Sequence, residues 1–383
     1  MTLKNKAGIV IIGGGITGTS IAYYLAKEGF KDIVILEKRY LTYGATGRCG
    51  AGVRQQWGTR QNCLLANESM KIFENLNEEL QVKRDIELKQ KGYLLLAYSE
   101  KEYELFKKNI SVQHELNIPS KLVTPYEAKQ IVPILNTADL VGATFCPTDG
   151  HANPFLTTMA YAEASERFGV TIYKNTTVTE IKMKNDKIIG VQTDKGFIET
   201  DKVVNAAGGW AQEIGKMVGL DLPIYSERHE ILATEPVKEI LGPMVMSFSY
   251  NIYCQQTPQG SFIMGCSPEN EPHGYNQNSS WNFLETMSKK VTWLLPPTQK
   301  LRVVRQWAGL YNISPDKQPI VCESEKVEGF YMAIGFSGHG FMIAPAVGIL
   351  MKDIILKKDL TWDVTLDIGR YERNEIIAES SVV

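Results

Sequence analysis

Three glycines near the start of the chain have the spacing of a turn that binds dinucleotides. Gly13, Gly15 and Gly18 form a Gly-x-Gly-x-x-Gly pattern, and Glu37 follows them. The first glycine permits a tight turn, the second lets backbone N–H groups approach a pyrophosphate, and the third lets a helix pack closely on a strand. Glu37 can accept hydrogen bonds from ribose hydroxyls. The pattern predicts a bound dinucleotide, and it does not distinguish FAD from NAD.

The elements around this turn must hold it between a strand and a helix. Residues 8–12 are apolar and β-branched, residues 19–28 have helical character, and residues 33–36 form a second apolar run. Together they predict a βαβ unit, in which the helix N-terminus places partial positive charge beside the phosphates. The neighbouring residues that we expect to contact the dinucleotide are Ile16, Thr17, Lys38 and Arg39.

Three later segments are rich in small residues. Residues 44–54 read GATGRCGAGVR, residues 203–210 read VVNAAGGW, and residues 335–341 read GFSGHGF. With the first glycine turn, and in this order, they resemble the D-amino acid oxidase family of flavoproteins over nearly the whole chain. The pattern is most similar to the β subunits of multi-subunit L-proline dehydrogenase and sarcosine oxidase. Chance convergence of glycine-rich turns is the alternative.

The resemblance implies FAD as the cofactor and gives each segment a role. Backbone in the loop after residue 44 can lie against a flat ring, and Arg48 can reach pyrophosphate or flavin oxygens, unless it forms a surface salt bridge instead. The candidates in this loop are Thr46, Gly47, Arg48, Cys49, Gly50, Ala51 and Gly52. Ala206, Ala207 and Gly208 end a strand with minimal side chains and permit close approach of the cofactor, and Val178 is a further candidate. Trp210 is explained equally well by core packing.

The segment after residue 335 is expected to lie along the isoalloxazine ring. A helix begins there, and its free N–H groups would stabilise negative charge on the flavin; a capping turn without a ligand is the alternative. Its candidates are Gly335, Ser337, Gly338, His339, Gly340, Phe341 and Met342.

The family resemblance also implies the fold class. We expect an α/β protein with a Rossmann-like FAD-binding domain at residues 1–85, 146–220 and 320–383. A second, α+β domain at residues 86–145 and 221–319 would bind the substrate on a mostly antiparallel sheet. Local patterns predict helices at residues 67–80, from Pro154 and at residues 341–356, and a hairpin turn at Asn185-Asp186. Strands are expected at residues 93–97, 170–173, 178–183, 188–193, 202–205, 229–233 and 262–264.

On the substrate side, amine oxidation by a flavin needs positioning more than acid–base groups, because a neutral amine held near N5 can lose hydride from the carbon next to nitrogen. Arg54 matches an arginine that pairs with the substrate carboxylate in sarcosine oxidases; bonds to nearby loop carbonyls are the alternative. Tyr253 and His229 are the other catalytic candidates, although core packing also explains His229. Arg305 is a further residue that could line the site.

The chain departs from monomeric sarcosine oxidases at two positions. Gly309 stands where those enzymes carry the cysteine that bonds covalently to FAD, so we predict non-covalent FAD. Met342 stands where they carry a lysine that binds the substrate carboxylate, so a carboxylate would depend on Arg54.

Composition limits the classes of molecule that the chain is expected to bind. The chain has 41 basic and 43 acidic residues and a formal net charge of −2, so nucleic acid is not an expected partner. We find no run of about 20 apolar residues that predicts a membrane span. The six scattered cysteines form no CxxC pair, which favours a reducing, cytoplasmic setting without a metal site.

Three functions remain open at this level. The first is oxidation of a small amine or amino acid, similar to L-proline or sarcosine, by the β subunit of a complex in which electrons leave through a partner subunit and an FMN at the interface. The second is oxidation of a hydroxyl substrate such as glycerol phosphate, which predicts a basic cluster that residues 223–318 lack. The third is a non-catalytic subunit that relays electrons.

Overall fold

The fold comes from a computed structural model that describes residues 2–267 and 270–381. Its helices are α1 (Ile16–Lys27), α2 (Arg60–Glu79), α3 (Glu100–Glu115), α4 (Pro125–Ile131), α5 (Pro154–Arg167), α6 (Ala211–Lys216), α7 (Trp281–Leu294) and α8 (Gly340–Ile355). Its strands are β1 (Ile9–Ile12), β2 (Ile33–Leu36), β3 (Gly52–Val53), β4 (Tyr93–Ala97), β5 (Lys121–Val123), β6 (Gly142–Cys146), β7 (Gly150–His151), β8 (Thr171–Tyr173), β9 (Val178–Lys184), β10 (Lys187–Thr193), β11 (Gly196–Glu199), β12 (Val203–Asn205), β13 (Tyr225–Thr234), β14 (Met244–Ser247), β15 (Ile252–Gln256), β16 (Phe262–Cys266), β17 (Val303–Ile313), β18 (Ile320–Glu323) and β19 (Phe330–Ile334).

A six-stranded sheet carries the first glycine turn. Its order is β18-β19-β12-β1-β2-β8, and its pairs are parallel except for β18 with β19. β1 and β2 read IVII and IVIL and are buried throughout, as expected when both faces of a parallel sheet are covered. One face packs on α1 and α8 through Ile21, Leu25, Ile343 and Val347. The predicted βαβ unit and the α/β fold class are confirmed.

A three-stranded antiparallel sheet covers the opposite face of the six-stranded sheet. Its order is β11-β10-β9, and Ile181, Val191 and Ile198 pack against the buried side chains of β1 and β2. The turn between β9 and β10 has Asn185 at φ 51° and Asp186 at φ 58°. Asparagine and aspartate tolerate this left-handed region, which hairpin turns of type I′ require, so the predicted turn is confirmed.

An eight-stranded sheet forms the other half of the molecule. Its order is β17-β13-β16-β15-β14-β4-β6-β5, and its pairs are antiparallel except for β4 with β14. The side chains of β4 alternate: Leu94 and Leu96 pack in the cluster that includes α7, whereas Tyr93 and Leu95 belong to the opposite face. That opposite face borders the candidate site. The mostly antiparallel second sheet is confirmed, while the domain boundaries given above stay a prediction.

The structure differs from the predicted elements in two places. α2 begins at Arg60, before the predicted start at residue 67, and its N-cap Thr59 makes no side-chain cap. The sequence patterns from residue 223 to about 319 indicate strands mixed with polar loops, and the structure adds α7 there, which Ser280 caps by accepting a hydrogen bond from the Phe283 N–H. Among the described residues, no helix combines the length and the apolar character needed to cross a bilayer.

Candidate cofactor and substrate site

A long cleft opens where β1, β2 and β12 end, and it continues to β13 and β17 of the eight-stranded sheet. The candidate residues that line it are Gly13, Gly15, Ile16, Thr17, Glu37, Lys38, Thr46, Arg48, Cys49, Val178, Ala206, Ala207, Gly208, Trp210, His229, Tyr253, Gly309, Gly338, Gly340 and Phe341. The first glycine turn and the turn before α8, which are more than 300 residues apart in the chain, therefore meet in one cleft.

The glycines of the first turn lie where no larger residue fits. Gly13 has φ 121°, and a Cβ on it would lie 2.3 Å from the Ala206 carbonyl oxygen. A Cβ on Gly18 would lie 2.0 Å from the Gly13 carbonyl oxygen. Gly18 does not line the cleft. It faces the Gly13 carbonyl oxygen instead, so its missing side chain lets α1 pack against the turn. The predicted tasks of the first and third glycines, a tight turn and close packing, agree with this geometry.

The Glu37 carboxylate forms hydrogen bonds with the protein backbone. Its carboxylate accepts hydrogen bonds from the N–H groups of Gly14 and Arg39, both at 2.8 Å. Burial raises the pKa of Glu37, and these two hydrogen bonds and Lys38 act against that rise. Each carboxylate oxygen has a further lone pair, so a hydroxyl in the cleft can still donate to it. Arg39 makes this backbone contact and does not line the cleft.

The loop that follows β2 is held by its own polar side chains. Thr46 Oγ1 accepts a hydrogen bond from the Ile16 N–H at the start of α1, at 3.2 Å. Arg48 donates to the carbonyl oxygens of Tyr43 and Ala308, at 3.0 and 2.8 Å. Arg48 therefore ties this loop to β17, and it forms no salt bridge within the described chain. Gly47, in the same loop, does not line the cleft, and a Cβ on it would lie 2.4 Å from the Thr42 carbonyl oxygen.

The turn before α8 is strained and anchored. Gly335, Ser337 and Gly338 have φ values of 71°, 47° and 92°, all in the left-handed region. Asn312 on β17 fixes them, because its Oδ1 accepts from the Gly335 N–H and its carbonyl oxygen accepts from the Ser337 N–H. Gly335 and Ser337 thus shape the turn and do not line the cleft. Strain of this kind persists where the surrounding structure holds it, often at a binding site.

A smaller cavity adjoins the cleft and shares with it the candidates Cys49, Tyr253, Gly338 and Phe341, and also Tyr311. The other candidate residues that line this cavity are Gly50, Ala51, Gly52, Arg54, His339 and Met342. Trp57, Tyr93, Met244 and Met246, which the sequence did not single out, complete much of its wall. Arg305 lies outside both cavities, on an exposed part of β17. The candidates thus divide between the long cleft and the smaller cavity, and Cys49, Tyr253, Gly338 and Phe341 line both.

Arg54 is the cationic side chain of the smaller cavity. It is 2% exposed, and its guanidinium lies 3.8 Å from the centre of the Trp57 ring. It donates to the carbonyl oxygens of Gln56 and Ser381, at 2.9 and 2.6 Å. The first of these is the loop-carbonyl bond considered above as an alternative. A guanidinium has five N–H donors, so these two bonds leave room for a bidentate partner.

His339 faces the same cavity. Its ring is 1% exposed and lies 4.7 Å from the Trp57 ring, and neither ring nitrogen has a hydrogen-bond partner among the described residues. Burial lowers the pKa of His339 to about 4, so the imidazole is neutral at neutral pH. The expected contact of His339 with the cofactor would be made by its turn, since its side chain lines the smaller cavity.

Tyr253 and His229 form a pair at the junction of the two cavities. The Tyr253 hydroxyl and His229 Nε2 are 3.1 Å apart, and His229 Nδ1 lies 3.1 Å from Ser267 Oγ. The His229 ring also stacks on Tyr311 at 4.3 Å. Burial lowers the pKa of His229 to about 3 and raises that of Tyr253, so both side chains are neutral.

An aromatic stack flanks the cleft, and Trp210 is its only member among the candidates from the sequence. Trp210 stacks on Tyr43 at 6.2 Å and on Tyr275 at 6.4 Å, and the Lys38 ammonium lies 3.3 Å from the centre of its ring. Tyr43 directly precedes the glycine-rich segment 44–54, which could have pointed to it, whereas Tyr275 lies outside every motif.

The shape and chemistry of the cleft fit FAD. The glycine cradle, the free N–H groups at the start of α1 and the acceptor Glu37 suit a pyrophosphate and a ribose. At the far end Gly309 and Gly338 lie among aromatic side chains such as Tyr253 and Tyr311, and the absence of a side chain at these two glycines suits a flat ring. These features do not by themselves distinguish one dinucleotide from another.

Comparison with known proteins supplies that distinction. Residues 8–354 match the family model described as DAO, FAD dependent oxidoreductase. The β subunit of sarcosine oxidase from Rhodobacter capsulatus is 27% identical over 382 residues, covering 98% of this chain and 91% of that protein. Rat mitochondrial dimethylglycine dehydrogenase is 30% identical over 391 residues, and the match spans 96% of this chain but 45% of that enzyme.

Solved structures agree. L-proline dehydrogenase from P. horikoshii superimposes with a TM-score of 0.91 at 38% identity, covering 98% of this chain and all of that one. Glycine oxidase from Geobacillus kaustophilus has a TM-score of 0.88 at 24% identity, covering 96% and 99% of the two chains, and supports the fold alone. The family resemblance predicted from the four glycine-rich segments is confirmed: the chain belongs to the DAO family of FAD-dependent oxidoreductases.

Proposed function

We propose that the protein oxidises a small amine or amino acid that carries a carboxylate, similar to L-proline or sarcosine. The observation that carries this proposal is the smaller cavity, which adjoins the cofactor cleft and, among its described lining residues, holds one cation and no carboxylate. The names of the similar proteins, L-proline dehydrogenase and sarcosine oxidase subunit beta, support the same substrate class.

Arg54 binds the carboxylate in this proposal. Its guanidinium is buried and held against Trp57, so little side-chain entropy is lost when a substrate binds. The planar fork can form two parallel hydrogen bonds to a carboxylate. Met342 lines the same cavity and cannot take part in such a bond, so no second cation shares the task.

The rest of the cavity selects the neutral amine. The hydroxyl of Tyr253 and the ring of His339 are neutral, and an ammonium group would find no anion there to compensate its charge. Met244, Met246 and Phe341 offer apolar contacts to the carbon skeleton. Bound FAD supplies the acceptor for the hydride that leaves the carbon next to nitrogen. The residues of the cavity bind, orient and shield the substrate, and the Tyr253–His229 pair provides a hydrogen-bond acceptor for the amine.

We further propose that the chain acts as the β subunit of a dehydrogenase complex. The support is the subunit name of the similar sarcosine oxidase protein, which this chain matches over nearly its full length. In such a complex electrons leave the flavin through a partner subunit, with FMN at the interface as a second carrier. Purification of the chain from its native source, followed by flavin analysis of the co-purifying complex, tests this arrangement.

Anaerobic mixing of the FAD-loaded protein with L-proline, sarcosine, glycine, D-amino acids and glycerol phosphate tests the reaction. We expect the flavin absorbance to bleach with one or more of the amino acids. Bleaching by glycerol phosphate alone would establish a hydroxyl substrate instead, and an unchanged spectrum throughout would favour an electron-relay subunit.

A further inference from the structure

The last described residues of the chain contact Arg54, which lines the smaller cavity, without lining that cavity themselves. The Glu379 N–H donates to the Asp316 carbonyl oxygen at 2.9 Å, and Glu379 and Ser381 are 1% and 3% exposed. No motif in the sequence predicts a role for this segment, in contrast to the glycine-rich turns. Its position places two polar groups directly behind Arg54.

Glu379 is bound at the N-terminus of α2. Its carboxylate accepts hydrogen bonds from the Thr59 N–H and hydroxyl, at 3.0 and 2.9 Å, and from Asn62 Nδ2 at 3.1 Å. It also accepts from the N–H groups of Gly58 and Ser381. Burial alone would raise the pKa of Glu379, but the hydrogen bonds from Ser381 and Thr59 outweigh it and hold the pKa below its usual value. Glu379 is therefore ionised and caps α2.

Ser381 connects this cap to Arg54. The Ser381 N–H donates to Glu379 Oε1 at 2.8 Å, and the Ser381 carbonyl oxygen accepts from Arg54 Nη2 at 2.6 Å. Gln56 accepts from the other terminal nitrogen at 2.9 Å. One carbonyl oxygen on each terminal nitrogen thus holds the guanidinium in place. Of the two, only the Ser381 bond depends on a segment remote in sequence.

We propose that Glu379 is a positioning residue: by holding Ser381 against Arg54, it orients the guanidinium for the substrate carboxylate and so determines the preference for carboxylated amines. The inference rests on the proposed function of Arg54. It goes beyond it by assigning the selectivity to a carboxylate that, being buried behind Arg54, does not touch the substrate.

The test compares Glu379→Gln with the wild-type holoenzyme. Glutamine keeps the size of the side chain but loses the charge and one acceptor. Anaerobic titrations with L-proline and with pyrrolidine, which lacks the carboxylate, give the concentration of each that reduces half of the flavin. We expect the preference for L-proline over pyrrolidine to fall by about tenfold in the variant, because one charge-assisted hydrogen-bond network is lost. Glu375→Gln is the matched control, since Glu375 is an exposed glutamate four residues away that pairs with Arg373.

A structural role alone would weaken both titrations equally and leave their ratio unchanged, which would overturn the inference. If Glu379→Gln does not fold, Thr59→Val removes one hydrogen bond to Glu379 and is expected to lower the same ratio by a smaller factor.

Failure of the proposed function is distinguished by a ligand that cannot be oxidised as an amine. Tetrahydrofuran-2-carboxylate and tetrahydrofuran are titrated into the same proteins, and binding is followed by the flavin spectrum. A wild-type preference for the carboxylate that falls in Glu379→Gln supports the inference even if no amine bleaches the flavin. Equal binding of both ligands by the wild type would overturn it.

Discussion

At the scale of single residues, Arg54 has the clearest consequence. We predict that Arg54→Ala raises the concentration of amino acid needed to reduce half of the flavin by about a hundredfold, because a bidentate charge-assisted contact is lost. FAD content should stay unchanged, since Arg54 lines the smaller cavity and not the cofactor cleft. Reductive titration and the ratio of flavin to protein absorbance measure the two effects.

Arg305→Ala is the matched control for this prediction, because Arg305 is exposed on β17 and lies outside both cavities. Loss of FAD from Arg54→Ala with intact affinity for the amino acid would assign Arg54 to the cofactor and remove it from the substrate site.

His339 gives a prediction about pH. Burial lowers its pKa to about 4 in the folded protein, whereas an exposed histidine in the unfolded chain titrates near its ordinary value of about 6.5. Between these values the unfolded chain binds the additional proton at this histidine, so His339 lowers the free energy of unfolding as the pH falls. We expect His339→Asn to reduce this decrease between about pH 7 and about pH 5, measured by chemical denaturation of the holoenzyme.

His229 and His151, whose pKa values burial lowers to about 3 and about 4, act in the same direction, whereas Asp149, whose pKa burial raises to about 7, acts in the opposite one. All three remain in the variant, so the comparison with the wild type isolates His339. A slope that is the same in His339→Asn and in the wild type would show that the His339 ring is not buried in its neutral form. His273→Asn serves as the control, because His273 is exposed.

At the scale of elements, the turn before α8 combines left-handed backbone with a place in the lining of the cleft. Gly338 and Gly169 have nearly equal φ values, 92° and 93°, but a Cβ on Gly338 would lie 2.7 Å from the Tyr311 ring, whereas a Cβ on Gly169 would meet nothing within 4 Å. We predict that Gly169→Ala costs about 1 kcal/mol of stability from its backbone conformation alone. Gly338→Ala should cost more and should also lower FAD content, because Tyr311 lines the cleft.

Thermal unfolding and the flavin-to-protein ratio of the two variants measure this difference. Equal effects of the two substitutions would mean that the backbone conformation, and not the contact with Tyr311, sets the requirement for glycine at residue 338.

The elements also show what the sequence could predict. The first glycine turn could be predicted because its residues lie close together in the sequence. Local sterics require glycine there, as the short distances from a Cβ on Gly13 or Gly18 to backbone oxygens show. α7 was missed among polar residues, although Ser280 caps it. Glu379 could not be found at all, because its partners Thr59 and Asn62 are more than 300 residues away and only the fold brings them together. Local rules predict turns, whereas contacts between distant segments need the structure.

At the scale of the whole molecule, the cofactor cleft belongs to both large sheets. β1, β2 and β12 supply the nucleotide end, and β13 and β17 supply His229, Gly309 and Tyr311 near the opposite end. FAD bound along this cleft would contact both halves, and non-covalent binding would stabilise the folded state by a free energy that rises with the logarithm of the free FAD concentration. The dependence of the stability of the whole fold on FAD concentration therefore reports whether FAD is attached covalently.

The structure supports non-covalent attachment. Gly309 lines the cleft and offers no nucleophile, and a Cβ there would lie 3.2 Å from Arg48 Cβ. Cys49 also lines the cleft, but its Sγ donates to the Thr46 carbonyl oxygen and burial raises its pKa to about 12, so the reactive thiolate does not form. We predict that acid precipitation releases all flavin into the supernatant, measured by absorbance. A yellow pellet would require a covalent bond from another side chain, and digestion of that pellet to flavin-bearing peptides would identify it.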